Sequence, residues 1–464
     1  MAPPRPPPPR PRPSLGARVA LVAGLSLLAA SPAAADFDAA KKSFQDGLAQ
    51  TDWKTRRAGY QALLDYDGGP AAQAVLAALG AETNAAVEAA AVDGLGRMRS
   101  KEATAELLSS LAKGKSKERL LAAVALTRHV TPEVDAALIA ALAGKDAILA
   151  AQAALALGAS GRSGASPALV AALSHAAPQV RIAAMRSLAA TADKAGGPAI
   201  VARLATETGR VRGEAIRALE TLAVKKMGDA PKKWAAWAKG DDPDAVDEKP
   251  TLPPSFFGAP VTGTRVVFCL DRSLLMKDAH PWVGAEGRER LEALCNPPDG
   301  ERIPWRQLKT KLQISVAQIL HAVDGLPTGA KVEVITFAKE VGGAFDKKLV
   351  QANGANRKAL AVAMHAVDVD DGINLFDALA TALDLGGPTE EKAWKAGPDE
   401  IFLVTNNGPT AGLVADVDAV GPAIALRARL RMVPITVVGI GNHPYGLAET
   451  LAKRTGGLYL NLSK

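Results

Sequence analysis

Asp271 and Ser273 stand two residues apart at the end of an apolar run, Val266-Val267-Phe268-Cys269-Leu270. A carboxylate and a hydroxyl delivered together by a buried strand are oxygen donors, and such donors suit a hard divalent cation such as Mg²⁺. A second apolar run, Phe402-Leu403-Val404, leads through Thr405 to Asn406, whose side-chain carbonyl is an uncharged oxygen donor. Asp368, Asp370 and Asp371 lie in a loop between the two runs and could supply a replacement carboxylate, or simply be solvated loop acids. Other chemistries find little support. There is no H-E-x-x-H, no Cys/His cluster with zinc spacing and no G-x-x-x-x-G-K-[ST] loop. The six histidines, at 129, 175, 280, 321, 365 and 443, are scattered. Gly439-Ile440-Gly441-Asn442 lacks the third glycine of a dinucleotide turn. Ser273 has no evident base nearby in sequence. No catalytic residue is expected, and no cofactor other than a residual Mg²⁺.

The elements that would position these residues begin at Thr264. Strands are predicted over 264–270, 331–337, 400–404, 432–440 and 457–461, and helices over 305–323, 355–366, 375–385, 414–428 and 445–454. Continuous apolar strands alternating with helices predict a doubly wound, mostly parallel α/β sheet. Ligands of such sheets bind beyond the strand C-termini, where Asp271 falls. Residues 277–304, rich in proline and carrying Trp282, read as an insertion beside that point. It either shapes the site or is neutral.

Three loops of this region resemble a von Willebrand factor A domain. They are Asp271-Arg272-Ser273-Leu274-Leu275, Asp371-Gly372-Ile373-Asn374-Leu375-Phe376-Asp377-Ala378-Leu379, and Phe402-Leu403-Val404-Thr405-Asn406-Asn407-Gly408-Pro409-Thr410. The resemblance covers residues 263–464 and implies a cation held by Asp-x-Ser-x-Ser, a threonine and a second aspartate. Here Asp271 and Ser273 remain, Leu275 and Ile373 stand where hydroxyl ligands are expected, and Asn406 replaces the aspartate. The formal charge of the shell falls from two to one, so the resemblance implies a degenerate metal site. Without a metal, Asp271 is expected to take backbone N–H groups of the 273–276 turn, with Asn406 as a further donor.

Residues 52–240 are periodic. A Val-Arg-x-x-Ala-x-x-x-Leu pattern is plain with its leucine at 188 and 219, and weaker copies place theirs at 63, 95, 126 and 155. A period near 31 residues predicts stacked helix pairs. Pro70, Pro132, Pro167 and Pro198 mark helix starts between the copies. The pattern is similar to HEAT-like repeats of the short, phycobilisome-lyase-like type, which implies an all-α solenoid over residues 36–240 used for protein contact. Trp234 and Trp237 share one face of the helix after Pro231, either as the apolar cap of the last repeat or, with Trp282, as aromatic anchors for a partner. A Pro/Asp-rich linker is expected over 241–262.

Bulk properties narrow the class. The chain has 464 residues, long enough for two or three domains. Its net charge of +7 arises largely from Arg5, Arg10, Arg12 and Arg18 in the leader; without these four, 51 bases face 48 acids. No basic block with interleaved aromatics is present, so nucleic-acid binding is not expected. Residues 1–35 read as a signal peptide: a Pro/Arg-rich start, an apolar run from Val19 to Ala30, and Ala33-Ala34-Ala35 before Asp36. The run is too short to span a bilayer, so export to the periplasm or medium is expected, with no membrane span afterwards. Two cysteines, Cys269 and Cys295, do not make a disulfide framework, and Cys269 reads as a buried free thiol. The combined expectation is an exported, non-catalytic protein-interaction scaffold working without metal. The alternatives are metal-dependent adhesion through the residual site and, more remotely, an unrecognised enzyme.

Overall fold

The computed structural model describes residues 34–159, 162–280, 289 and 307–463. Most of the expected leader, Trp282, Cys295 and the body of the insertion lie outside these residues. The N-terminal half is a helical repeat array and the C-terminal half a mostly parallel sheet with helices on both faces. Within the described residues no helix is long and apolar enough to cross a membrane.

The inner helix of each repeat carries the sequence pattern: Trp53–Leu64, Ala85–Leu95, Ser116–Ala125, Ala147–Ala159, Pro178–Ala190 and Gly209–Ala223. Leu63, Leu95, Leu126, Leu188 and Leu219 are fully buried. The fourth repeat differs from the expectation: its core leucine is Leu157, while Leu155 is half-buried. Two residues turn a side chain by about 200° around a helix, so Leu155 faces away from the seam that Leu157 fills. With Leu157 in place, every leucine step from Leu95 onward is 31 residues.

The small residue four positions earlier (Gly59, Ala91, Ala122, Ala153, Ala184 or Ala215) is buried in every repeat. It lets backbones meet closely: at neighbouring Gly158, a Cβ would fall 2.4 Å from the Ser187 backbone. The repeated arginine has a separate task. Arg56, Arg119, Arg181 and Arg212 donate to carbonyls at the end of the preceding helix or loop. Arg56, Arg181 and Arg212 also pair with Glu82, Glu207 and Asp229 of the following segment. Each guanidinium thus satisfies helix-end carbonyls and ties one repeat to the next.

The stretch expected as a spacer, 241–262, is largely built into the fold. After a turn at Pro243–Ala245 it forms a small antiparallel pair, β1 (Ser255–Phe256) with β2 (Ala259–Pro260). Phe256 and Phe257 are fully buried, and Phe256 packs edge-on against Phe268 and Phe402. Two aromatic side chains in a core are worth several kcal/mol of burial, roughly 2–3 each, which a free linker could not forgo.

The main sheet contains β3 (Arg265–Asp271), β4 (Lys331–Phe337), β5 (Val341–Gly343), β6 (Val350–Gln351), β7 (Glu400–Thr405), β8 (Ile435–Gly439) and β9 (Tyr459–Asn461). Its order is β5-β4-β3-β7-β8-β9, with β6 also on β4. β3, β4, β7, β8 and β9 are parallel; β5 and β6 run antiparallel to β4. The sequence reading missed β5, β6 and a short helix at Glu390–Ala396, all too brief to show a period. The chain leaves β3 toward β4 and later returns on the other side as β7. The switch point therefore lies between β3 and β7, with Asp271 at its mouth.

The two halves share one packed seam. Helix Val417–Leu430 lies on Ala85–Leu95, and Leu426, Leu430 and Met432 join the apolar core of the helical array. Arg186 donates to Thr455 O at 3.0 Å and Arg217 to Gly456 O at 2.7 Å. Gln152, the one polar residue in an otherwise Ala/Leu/Ile/Gly helix, is fully buried and exchanges hydrogen bonds with Arg429. At the lower end of β7, Glu400 is buried and accepts from the Thr262 and Gly263 N–H groups, with Arg217, Arg210 and Asp399 as charged neighbours.

Burial pushes the Glu400 carboxyl up to about 7 from an ordinary 4.5. Between those values the unfolded chain has released this proton and the folded chain still holds it. Stability from this group is therefore lost as pH rises from about 4.5 to about 7. Glu400→Gln should remove that loss: relative to wild type, its unfolding free energy by urea titration should rise by something on the order of 2 kcal/mol between pH 5 and pH 7.5. A constant difference across that range would show that Glu400 is already ionised in the folded state.

Candidate functional site at the sheet edge

Asp271 is fully buried at the end of β3. Its Oδ1 accepts from Ser273 N at 2.8 Å and its Oδ2 from Asn406 N at 3.0 Å, with the Thr405 hydroxyl at 3.4 Å. Burial pushes this carboxyl up, and these bonds oppose the shift. The expected backbone donors from the turn after Asp271 are thus present. Asn406, however, donates through its main chain and not through its side chain. The Ser273 hydroxyl is buried beside the carboxylate and helps hold it charged, but completes no well-formed hydrogen bond.

The two expected substitutions go different ways. Ile373 is 4% exposed and packs in the apolar core with Leu375 and Phe376, while its backbone N–H donates to Thr410 Oγ1 at 2.9 Å. Leu275 is 43% exposed, whereas Asp271 is fully buried. The acids of the second loop hold their own loop: Asp370 pairs with Arg272 at 3.4 Å, and Asp368, Asp370 and Asp371 each accept the next residue's N–H. None has been recruited to the site. Among the described residues no three His, Cys, Asp or Glu gather as a metal group would require.

A residue absent from the sequence reading completes the arrangement. Lys311, at the first position of helix Lys311–Asp324, is buried. Its Nζ donates to Asn406 Oδ1 at 3.0 Å and to Leu275 O at 3.4 Å, and lies 3.5 Å from Asp278. Gly441, with φ of +79°, passes so close that a Cβ there would meet Asn406 Oδ1 at 2.2 Å and Lys311 Nζ at 3.1 Å. One ammonium thereby ties the loop after β3 to the loop after β7. The only sequence signal was a lysine at N1 behind the Thr310/Gln313 capping box, where the helix dipole disfavours a cation.

The insertion starts and ends at this place. Ala279 bridges Thr310, His280 N donates to Lys309 O, and Lys311 N donates to Asp278 O. Burial and the Lys311 ammonium push His280 down to about 4, so it is neutral near pH 7. Cys269 is a free, buried thiol within β3.

A divalent cation is what the family resemblance implies, and these residues do not fit one well. Such an ion wants about six oxygens and compensating negative charge. Leu275 and Ile373 supply no side-chain oxygen, Asn406 Oδ1 is engaged by an ammonium, and that ammonium would repel the ion.

The aromatic anchors resolve unevenly. Trp234 is fully buried and its indole donates to Gly228 O at 2.8 Å, so it is not an exposed anchor. Trp237 is half-buried, meets Trp234 edge-on at 5.8 Å, and packs where a Cβ on Gly197 would fall. Both seal the last repeat. Trp282 lies outside the described residues.

Residues 135–220 match the family model for HEAT repeats, which supports the helical-repeat reading of the N-terminal half. No curated protein matches the chain.

Replacing Asp271 by Ala leaves two buried N–H donors, of Ser273 and Asn406, without an acceptor. Urea unfolding in EDTA should show a loss of about 2–4 kcal/mol. An equal loss with millimolar Mg²⁺ present is expected, since the deficit is in hydrogen bonding and not in metal binding.

Proposed function

We propose that this protein is an exported, non-catalytic scaffold in which a HEAT-like solenoid carries a von Willebrand A-type domain that binds a protein partner without metal. The sheet order, the three loops and the switch-point aspartate support the A-type reading. The leader over residues 1–35 supports export to the periplasm or the medium. HEAT repeats suit protein contact.

The observation that carries metal independence is Lys311. Its ammonium joins Asn406 to the Leu275 backbone, so the loops that a cation would organise are organised from within. The same edge supplies a contact surface of another kind. The loops after β3, β7 and β8 present Leu274, Leu275, Leu413 and Tyr445, each between 43% and 60% exposed. Parallel strands put all three loops at one end of the sheet. Exposed apolar side chains gathered on loops of a rigid frame fit an apolar protein surface.

Two measurements test this reading. The melting temperature of the protein should be the same in EDTA and in millimolar Mg²⁺, Mn²⁺ or Ca²⁺, because an ion that does not bind the native state cannot stabilise it. A rise of several degrees that disappears in Asp271→Ala would restore metal-dependent adhesion. A partner recovered by cross-linking should be retained in EDTA and lost with Leu275→Asp plus Leu413→Asp, at unchanged melting temperature. Retention by the double variant would move the partner surface elsewhere.

A further inference from the structure

The seam between the helical array and the sheet holds an open-mouthed cavity of about 270 Å³. Its apolar wall includes Val92, Pro422 and Leu426, and three arginines also line it: Arg128, Arg429 and Arg454. The sole acid on the wall, Asp93, is shared by Arg97 and Arg128.

Arg429 is the unusual member. Among the described residues the buried arginines have a carboxylate, Arg162 with Asp135, Arg210 with Glu214 and Arg431 with Asp384, and so does half-buried Arg186, with Glu214. Among the described residues Arg429 has no ion pair. Two neutral partners hold its guanidinium instead. Nε donates to Gln152 Oε1 at 3.2 Å and Nη2 to Thr127 Oγ1 at 3.1 Å. Those bonds fix the plane of the group and leave Nη1 uncommitted. Burial lowers its pKa to about 10, with no neighbouring acid to offset the effect. A half-buried cation held by neutral partners alone lacks a counter-charge, and an anion brought to it would supply one. Arg454 likewise forms no ion pair among the described residues.

We propose that this cavity binds a small amphipathic organic anion, its carboxylate or phosphate on Arg429, Arg454 and Arg128 and its short apolar body against Val92, Pro422 and Leu426. The wall carries three positive charges and one already paired negative one, which selects charge sign. Its other half is apolar, which selects a hydrocarbon body over a bare inorganic ion. The volume corresponds to roughly nine waters, enough for a chain of about six carbons with a head group. Because both halves of the protein line the cavity, such a ligand would also strengthen the seam.

The test is calorimetric titration of the full chain with hexanoate, hexyl phosphate and hexanol. At least one of the anions should bind, and at least ten-fold more tightly than hexanol; the preferred head group then separates a carboxylate ligand from a phosphate one. Arg429→Gln and Arg454→Gln should each weaken that binding, Arg429→Gln by about ten-fold or more, the usual loss for a charge-assisted contact. Arg454 is exposed and unpaired, so Arg454→Gln should leave the melting temperature unchanged and keep the test independent of folding. Hexanol binding as well as the anions, no binding of either anion, or an Arg454→Gln protein with undiminished affinity would each overturn the proposal. None of these outcomes bears on whether the sheet edge binds metal.

Discussion

A helix that is apolar around its whole circumference cannot face water, and Ala147–Ala159 is such a helix. One side packs on the preceding and following repeats. Its one polar residue, Gln152, is met by Arg429 near the end of Val417–Leu430, the sheet-domain helix that itself packs on Ala85–Leu95. The seam between the two halves is built from a few such contacts. It buries Gln152 against Arg429. It brings Arg186 and Arg217 onto the helix-end carbonyls of Thr455 and Gly456. It also decides which surfaces stay available. A repeat array offers its inner helices to a partner only while they are uncovered, and here that face is occupied in part from within.

The architecture was legible because it rests on periods. Leucines recurring at about 31 residues and apolar runs alternating with helical segments are long-range signals that no single substitution obscures. What was lost in reading was phase and contact. Leu155 and Leu157 are equally good leucines in an alanine-rich helix with little amphipathic pattern, so periodicity could not choose between them. The stretch 241–262 looked like a spacer because its prolines and aspartates dominate, yet Phe256-Phe257 already announced buried surface. The seam itself had a signal: a helix without a polar face, interrupted by one glutamine, requires a cover with a polar partner.

The sheet edge was legible in its frame and not in its chemistry. Asp271, Ser273 and Asn406 do converge, as the three loops implied. Lys311 could not be placed there from sequence, since it lies 40 residues after Asp271, beyond the insertion at 277–304. Tertiary structure alone brings its Nζ to Asn406. The charge argument explains why these residues belong together. An uncharged Asn406 side chain can accept from an ammonium, whereas a carboxylate in that position would pair with it strongly and close off the edge as an ion pair. Lysine is also a fixed, covalent cation, so the loops it joins do not depend on the supply of a free ion.

This changes what the sheet edge can recognise. A bound divalent ion with an open position attracts an acidic side chain, and its ligands must stay polar around it. Once the cation is internal and satisfied, polarity at the rim is no longer required. Leu275 can then turn outward, Ile373 can turn inward to the core, and the loops are free to carry Leu274, Leu413 and Tyr445 in solvent. The apolar rim and the internal lysine are thus compatible features of one edge. Recognition at such an edge would rest on buried apolar area. It should therefore weaken little with added salt, unlike contacts steered by exposed charge.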